Sequence, residues 1–186
     1  MTLSTPRRLF LLLALALAIA ATRASHFGTS ELLPDASLAV FLLGGMLLGG
    51  WQCFAILFAV AFGADVLSAR TAEEAGWCLT PAYWGLLPTY AVLWLAGRRL
   101  GKADDGPSFV RDAGTSVAAI ALAFVVSNAT WFAFSNTLGG MNAADFALTV
   151  AQYFPSYLGS AMLYLAPLWL GWKLTRMAAD NKAASS

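Results

Sequence analysis

Long apolar runs alternate with shorter polar segments along the chain. A membrane-spanning helix needs roughly 20 mainly apolar residues. The second and third runs form one stretch too long for a single span, and Gly49-Gly50 marks the break because glycine tolerates a tight turn. The pattern therefore predicts an all-α integral membrane protein, a single domain over residues 1–186, with six transmembrane helices at about residues 8–21, 36–48, 51–67, 83–96, 113–134 and 157–172.

Composition supports a membrane protein. Of the 186 residues, 59% are hydrophobic and only 11% are charged, whereas a soluble domain usually carries about 25% charged residues. The formal net charge is +1, and no basic run is long enough to grip nucleic acid. With two cysteines and one histidine, the chain cannot build a His/Cys cluster for zinc or iron–sulfur.

The distribution of Lys and Arg predicts the orientation, because these residues concentrate in short cytoplasmic loops. With six spans and the N-terminus inside, only Arg23 and Arg70 lie outside. We therefore expect a multi-pass protein with both termini in the cytoplasm. An alternative is that the first run is a cleaved signal peptide, which would leave five spans. The inner side holds nine basic residues: Arg7, Arg8, Arg98, Arg99, Lys102, Arg111, Lys173, Arg176 and Lys182.

The predicted outer loops, residues 22–35, 68–82 and 135–156, are long and contain aromatic residues, glycine and proline. Long loops without secondary structure are usually lids, binding loops or disordered segments, and the aromatic content argues against disorder. We expect these loops to cover a pocket that is open to the outside. The alternative is that they only cap the bundle.

Cys78 is the most informative candidate, because it lies in an outer loop without a partner. Cys53 is near the inner end of the third span, and a helix advances about 1.5 Å per residue. The two sulfurs are therefore too far apart for a disulfide, whose Cα atoms lie within about 7 Å of each other. A thiolate is a nucleophile and a soft metal ligand, although Cys78 can equally be a small buried loop residue. Cys53 is predicted to pack in the core.

Further candidates lie near the same side. His26, in the first outer loop, can ligate a metal or bond a ligand, or can simply be solvated. Asp65 lies toward the outer end of the third span, and an ionisable residue within a span usually faces a partner or a water-filled cavity. The alternative is that Asp65 lies at the membrane interface and pairs with Arg70. Tyr83 and Asn128 can line the same cavity, and Asn128 can instead form an interhelical hydrogen bond.

No GxSxG, HExxH, Walker A or CxxC motif is present in the sequence, so the common hydrolase, metalloprotease, nucleotide-binding and dithiol signatures are missing. Active transport would therefore need an outside energy source. The first span contains the small-residue pairs Ala14/Ala18 and Ala16/Ala20, which let helices approach closely.

This layout of six spans, long outer loops and alanine pairs resembles a substrate-binding (S) component of an energy-coupling-factor (ECF) vitamin transporter. One segment resembles the BtuM family of solitary cobalamin-specific S components, namely Trp77-Cys78-Leu79-Thr80-Pro81-Ala82-Tyr83-Trp84. The layout covers the whole chain, while the specific likeness is limited to Cys78 and its neighbours, with His26, Asp65 and Tyr83 as weaker matches.

The resemblance implies capture of cobalamin on the extracytoplasmic side and its uptake across a bacterial inner membrane. It implies that Cys78 is an axial ligand to the cobalt of cobalamin, with possible removal of the upper cyanide and with no free metal ion. His26 would approach the other axial face or the corrin amides, and Asp65 and Tyr83 would bond the amides or orient the cysteine loop. The expected partners are cobalamin, the bilayer and an ECF coupling subunit with ATPases.

Three alternatives remain from the sequence. The chain can be an S component for another vitamin, with Cys78 incidental. It can be a membrane enzyme with Cys78 as nucleophile and His26 as its base. It can also be a structural membrane subunit without a ligand, which nothing in the outer loops specifically favours.

Overall fold

The computed structural model describes residues 4–23, 33–69, 80–102, 108–135 and 140–184. Within these ranges all the regular secondary structure is helical and no strand is present, so the all-α prediction is confirmed. The helices in chain order are α1 (Thr5–Arg23), α2 (Ser37–Leu47), α3 (Trp51–Ala69), a 3₁₀ helix (Pro81–Gly85), α4 (Leu86–Gly101), α5 (Phe109–Phe134), α6 (Ala143–Ala151) and α7 (Phe154–Ala184).

In the part of the chain that the structure describes, three helices, α1, α3 and α5, are long and apolar enough to cross a membrane. Two of the other predicted spans are shorter than the roughly 17 residues that a crossing requires, since α2 has 11 residues and α4 has 16. On α1, the large side chains Leu9, Phe10, Leu13 and Leu17 are each more than half exposed. Such an apolar stripe is compatible with a helix that faces lipid.

Helix α2 occupies the centre of the molecule. Every residue from 37 to 45 is buried, as expected for a helix that is apolar on all sides. The Phe41 and Leu42 side chains are fully buried and pack in one hydrophobic core with Leu57, Leu93 and Trp94 of α3 and α4. The neighbouring helices, rather than lipid, therefore cover this short helix.

Glycines allow α2 and α4 to approach closely. Gly97 and Gly101 are four residues apart on α4, the small-xxx-small spacing found where membrane helices pack tightly. A Cβ atom at Gly97 would overlap the Leu42 carbonyl oxygen, and one at Gly45 would overlap the Trp94 carbonyl oxygen. These backbones are therefore too close for any larger residue at the contact.

The predicted break at Gly49-Gly50 is confirmed, since α2 ends at Leu47 and α3 begins at Trp51. Gly49 has a φ of 64°, a left-handed conformation that glycine adopts without steric cost. Its N–H donates to the Gly44 carbonyl at 3.1 Å. The turn thus satisfies a carbonyl at the end of α2 while it reverses the chain.

The predicted third outer loop, residues 135–156, is more ordered than the sequence indicated. It contains α6, and α7 begins at Phe154 rather than near residue 157. The Asn142 side chain caps α6 by accepting a hydrogen bond from the Asp145 N–H at 2.9 Å, the usual role of Asn at a helix start.

Basic residues gather at one end of the molecule. The Arg8 guanidinium donates to the Leu48 carbonyl at 3.3 Å, and that of Arg98 lies 5.6 Å from the Trp51 ring centroid. The start of α1, the turn between α2 and α3, and the end of α4 therefore share this end. The candidate site lies at the opposite end.

Candidate ligand-binding site

A cavity of about 880 Å³ lies at the end where α1, α3 and α5 finish and where α2, α4 and α7 begin. Leu38, Leu86, Trp131, Phe146 and Val150 supply much of its apolar wall. Most of the exposed surface of the wall is apolar, as in small-molecule sites generally, but the polar residues are more numerous than such sites usually carry. The polar residues on its wall are Thr22, Arg23, Asp35, Asp65, Tyr83, Thr89, Tyr90, Ser127, Asn128, Thr130, Tyr153, Ser156, Tyr157 and Ser160.

A buried ion pair between Arg23 and Asp65 forms one side of the cavity. Arg23 Nε donates to Asp65 Oδ1 at 2.7 Å, and Arg23 Nη2 donates to Asp65 Oδ2 at 2.6 Å. The two side chains are only 8% and 7% exposed. This two-bond geometry is the strongest that Arg and a carboxylate form. Arg23 also ends α1, where a positive charge interacts favourably with the helix dipole.

Further hydrogen bonds connect this pair to other helices. Arg23 Nη1 donates to Ser37 Oγ at 2.9 Å and to the Tyr90 hydroxyl at 2.5 Å. The Tyr83 hydroxyl donates to Asp65 Oδ2 at 2.8 Å. Because a buried charge is costly unless its hydrogen-bonding groups are satisfied, these contacts explain how the pair is tolerated. They join α1, α2, α3, α4 and the 3₁₀ helix at the cavity.

Asp35 is the third charged residue on the wall, and its side chain is 25% exposed. Its Oδ1 accepts hydrogen bonds from the Ser37 N–H at 2.9 Å and the Ser37 hydroxyl at 2.6 Å. Its Oδ2 lies 3.5 Å from Arg23 Nη1. With one Arg and two Asp, the described wall carries a formal charge of −1.

Contacts from outside the charged network hold its members in place. The Tyr90 ring stacks on Phe41, with centroids 4.1 Å apart and planes 6° from parallel. The Tyr164 hydroxyl of α7 donates to the Pro34 carbonyl at 2.5 Å. Since Pro34 and Asp35 are neighbours, this last bond anchors the segment that carries the Asp35 carboxylate.

Three candidates from the sequence, Asp65, Tyr83 and Asn128, line this one cavity. Asp65 faces both the cavity and a partner, and that partner is Arg23 rather than the alternative Arg70, which lies outside the described residues. The Asn128 side chain donates to the Phe124 carbonyl of its own helix at 2.9 Å, so this hydrogen bond is not interhelical.

The two remaining candidates, Cys78 and His26, lie outside the described residues. Cys53 is half-buried and packs against the hydrophobic core, as predicted.

Sequence reasoning missed the site roles of Arg23, Asp35 and Tyr90. The sequence pattern places Arg23 in an outer loop, whereas in the structure it is buried at the end of α1. The sequence does contain a signal for this pair, because Arg23 and Asp65 both lie at the predicted outer ends of apolar runs. Opposite charges at equal depth in two helices suggest a pair.

The sequence matches no protein-family model, and no curated protein matches it. Fold and site together define an all-helical protein with apolar helices of membrane-spanning length and a large charged cavity at one end.

Proposed function

We propose that this chain is an integral membrane protein that captures cobalamin on the extracytoplasmic side and mediates its uptake, as an S component of an ECF-type transporter. The observation that carries the proposal is the cavity of about 880 Å³. Ligand pockets typically measure about 300–1,000 Å³, so a cavity near the upper limit favours a large organic ligand.

The proposed topology has six spans in a bacterial inner membrane. Helices α1, α3 and α5 run toward the cavity, and α2, α4 and α7 run away from it, as alternating crossings would. The 3₁₀ helix and α4 together cover Pro81–Gly101. The basic end, with Arg8 and Arg98, faces the cytoplasm because positive residues favour that side. The cavity then opens outward, and both termini are cytoplasmic.

The composition of the cavity wall suits cobalamin, which combines a flat corrin macrocycle with a rim of amide groups. The apolar residues can cover the macrocycle, while Ser, Thr, Asn and Tyr side chains can bond the amides. Of the residues that the resemblance indicated, Asp65 and Tyr83 are already bonded to each other and to Arg23. We therefore assign these two chiefly to positioning the wall.

Both cobalt-ligand candidates are close in sequence to residues of the cavity wall. Cys78 precedes the wall residue Ala82 by four positions, so their Cα atoms are at most about 14 Å apart. His26 follows the wall residue Arg23 by three positions, which limits that Cα distance to about 11 Å. These limits are compatible with contact between either residue and a ligand in the cavity.

The proposed chemistry needs a single thiolate. A corrin fills the four equatorial positions of cobalt and leaves two axial ones, and the axial ligand is the protein's main influence on such a metal. We propose that Cys78 replaces the lower benzimidazole and binds cobalt. Its electron donation would weaken the opposite cobalt–carbon bond, so that cyanide leaves with the bonding electron pair and cobalt stays trivalent.

Energy for uptake would come from a coupling subunit with ATPases, because the sequence contains no Walker A motif. Helix α1 offers a face for such a subunit in the membrane. Its side chains Leu9, Leu13 and Leu17 are exposed, and Ala14 between them is exposed as well. A small residue within an exposed stripe permits close approach of another helix.

The test is the absorbance spectrum of detergent-purified protein after incubation with cyanocobalamin and desalting. We expect retained corrinoid with an altered spectrum in the wild type and in Cys53→Ala, the matched cysteine control. Cys78→Ala should lack the spectral change. Identical spectra in all three would remove Cys78 from the cobalt, and no retained corrinoid would sink the cobalamin proposal in favour of another vitamin or of thiol chemistry.

A further inference from the structure

Among the described residues of the cavity wall, Asp35 carries the charge that is not compensated. The single positive charge of Arg23 is shared between two carboxylates, and Asp65 takes the larger share through bonds of 2.7 and 2.6 Å. Asp35 Oδ2 is 3.5 Å from Arg23 Nη1, a distance at the limit of a hydrogen bond. The excess negative charge therefore resides mainly on Asp35.

The two oxygens of Asp35 differ in their partners. Oδ1 is occupied by the N–H and the hydroxyl of Ser37. Oδ2 accepts no hydrogen bond from any residue that the structure describes, and the side chain is 25% exposed at the cavity. Because a carboxylate oxygen can accept two hydrogen bonds, Oδ2 has capacity for a donor on a ligand.

The carboxylate is also held in a fixed position. Its backbone neighbour Pro34 is bonded to the Tyr164 hydroxyl at 2.5 Å, and Ser37 orients the carboxylate from α2. A preorganised acceptor loses little freedom when a ligand binds. A carboxylate in a mostly apolar cavity is stabilised by a ligand that brings N–H donors, and it repels a ligand that brings another negative charge.

We propose that Asp35 determines the ligand specificity of this cavity. Its Oδ2 accepts a hydrogen bond from a primary carboxamide on the rim of the ligand, and the same charge rejects a ligand that has a carboxylate there. This inference rests on the proposed function, since cobalamin carries primary carboxamides around its corrin ring. It assigns the amide contact to Asp35, because the Asp65 carboxylate is almost fully buried and both of its oxygens are engaged by Arg23 or Tyr83.

The probes are cyanocobalamin and its separated monocarboxylic acids, in each of which one corrin carboxamide has been hydrolysed. A carboxylate in place of the bonded amide would lie about 5 Å from Asp35, and at an effective dielectric constant of about 40 the repulsion lowers affinity about 15-fold. We expect the wild type to bind at least one monocarboxylic acid about 15-fold more weakly than cyanocobalamin. In Asp35→Asn, which keeps the shape and removes the charge, the difference should shrink to about 2-fold.

The matched control is Asp112→Asn, because Asp112 lies in the first turn of α5, far along that helix from the cavity. It should keep the wild-type preference. If the wild-type protein binds all the monocarboxylic acids with the same affinity as cyanocobalamin, that result alone overturns the inference. An unchanged preference in Asp35→Asn overturns it as well, and in both cases cobalamin binding stands. Failure of the wild type to retain cyanocobalamin overturns the proposed function together with the inference.

Discussion

Replacing Asp65 by Asn tests the charged network directly. The substitution keeps the side-chain shape but removes the charge that Arg23 engages through two hydrogen bonds. Removing one partner of a buried pair costs about 3–5 kcal/mol, because the other charge stays buried without compensation. Asn retains one acceptor oxygen and Asp35 stays nearby, so we expect the lower value, about 3 kcal/mol.

For a chain of this size, that loss corresponds to a melting temperature lower by about 6–12 °C. The assay is thermal unfolding of detergent-purified protein, followed by circular dichroism of the helices. The matched control is Asp145→Asn, an exposed carboxylate on α6, which should change stability by less than about 1 kcal/mol. If Asp65→Asn melts with the wild type, the Arg23–Asp65 pair does not hold the helices together and this reasoning is wrong.

Two further substitutions test the packing and the network. Gly97→Ala should lower the melting temperature by several degrees, because the added methyl group meets the Leu42 carbonyl and overpacking costs about 1–3 kcal/mol. The control is Gly114→Ala, which has open space around it and should be neutral or slightly stabilising. Tyr83→Phe should cost about 1.5–3 kcal/mol, since it removes a hydrogen bond to the Asp65 carboxylate. An unchanged melting curve for Gly97→Ala would contradict the close packing of α4 against the Leu42 carbonyl. An unchanged curve for Tyr83→Phe would contradict a stabilising hydrogen bond between Tyr83 and Asp65.

Helix positions were predictable from the sequence, because burial in lipid or protein requires long apolar runs. Each of the six predicted runs contains a helix, and the Gly49-Gly50 break lies where expected. Helix α6 was missed because it is only nine residues long and sits in a segment rich in turn-forming residues. A short amphipathic helix gives a weak periodic signal.

The polar site was less predictable, since its members come from distant parts of the sequence. Arg23 and Asp65 are 42 positions apart, and their pairing depends on which helices pack together. The sequence indicated that Asp65 faces a cavity or a partner, but the only partner that it suggested was Arg70, which is closer in sequence than Arg23. Asp35 gave no signal, because a carboxylate next to proline before a helix is an ordinary N-terminal feature.

The central claim is that this cavity is the cobalamin site, and a cavity-filling substitution tests it most directly. Ser127 lines the cavity, whereas Val125, two positions earlier on α5, is 60% exposed on the outer surface. Retained cyanocobalamin per chain would be measured after desalting for the wild type, Ser127→Trp and Val125→Trp, with melting curves to confirm folding. We expect the wild type and Val125→Trp to retain corrinoid equally and a folded Ser127→Trp to retain less than about a tenth of that amount, because the indole occupies the space of the ligand. Equal retention by folded Ser127→Trp would show that cobalamin, if bound, lies elsewhere and would contradict this account.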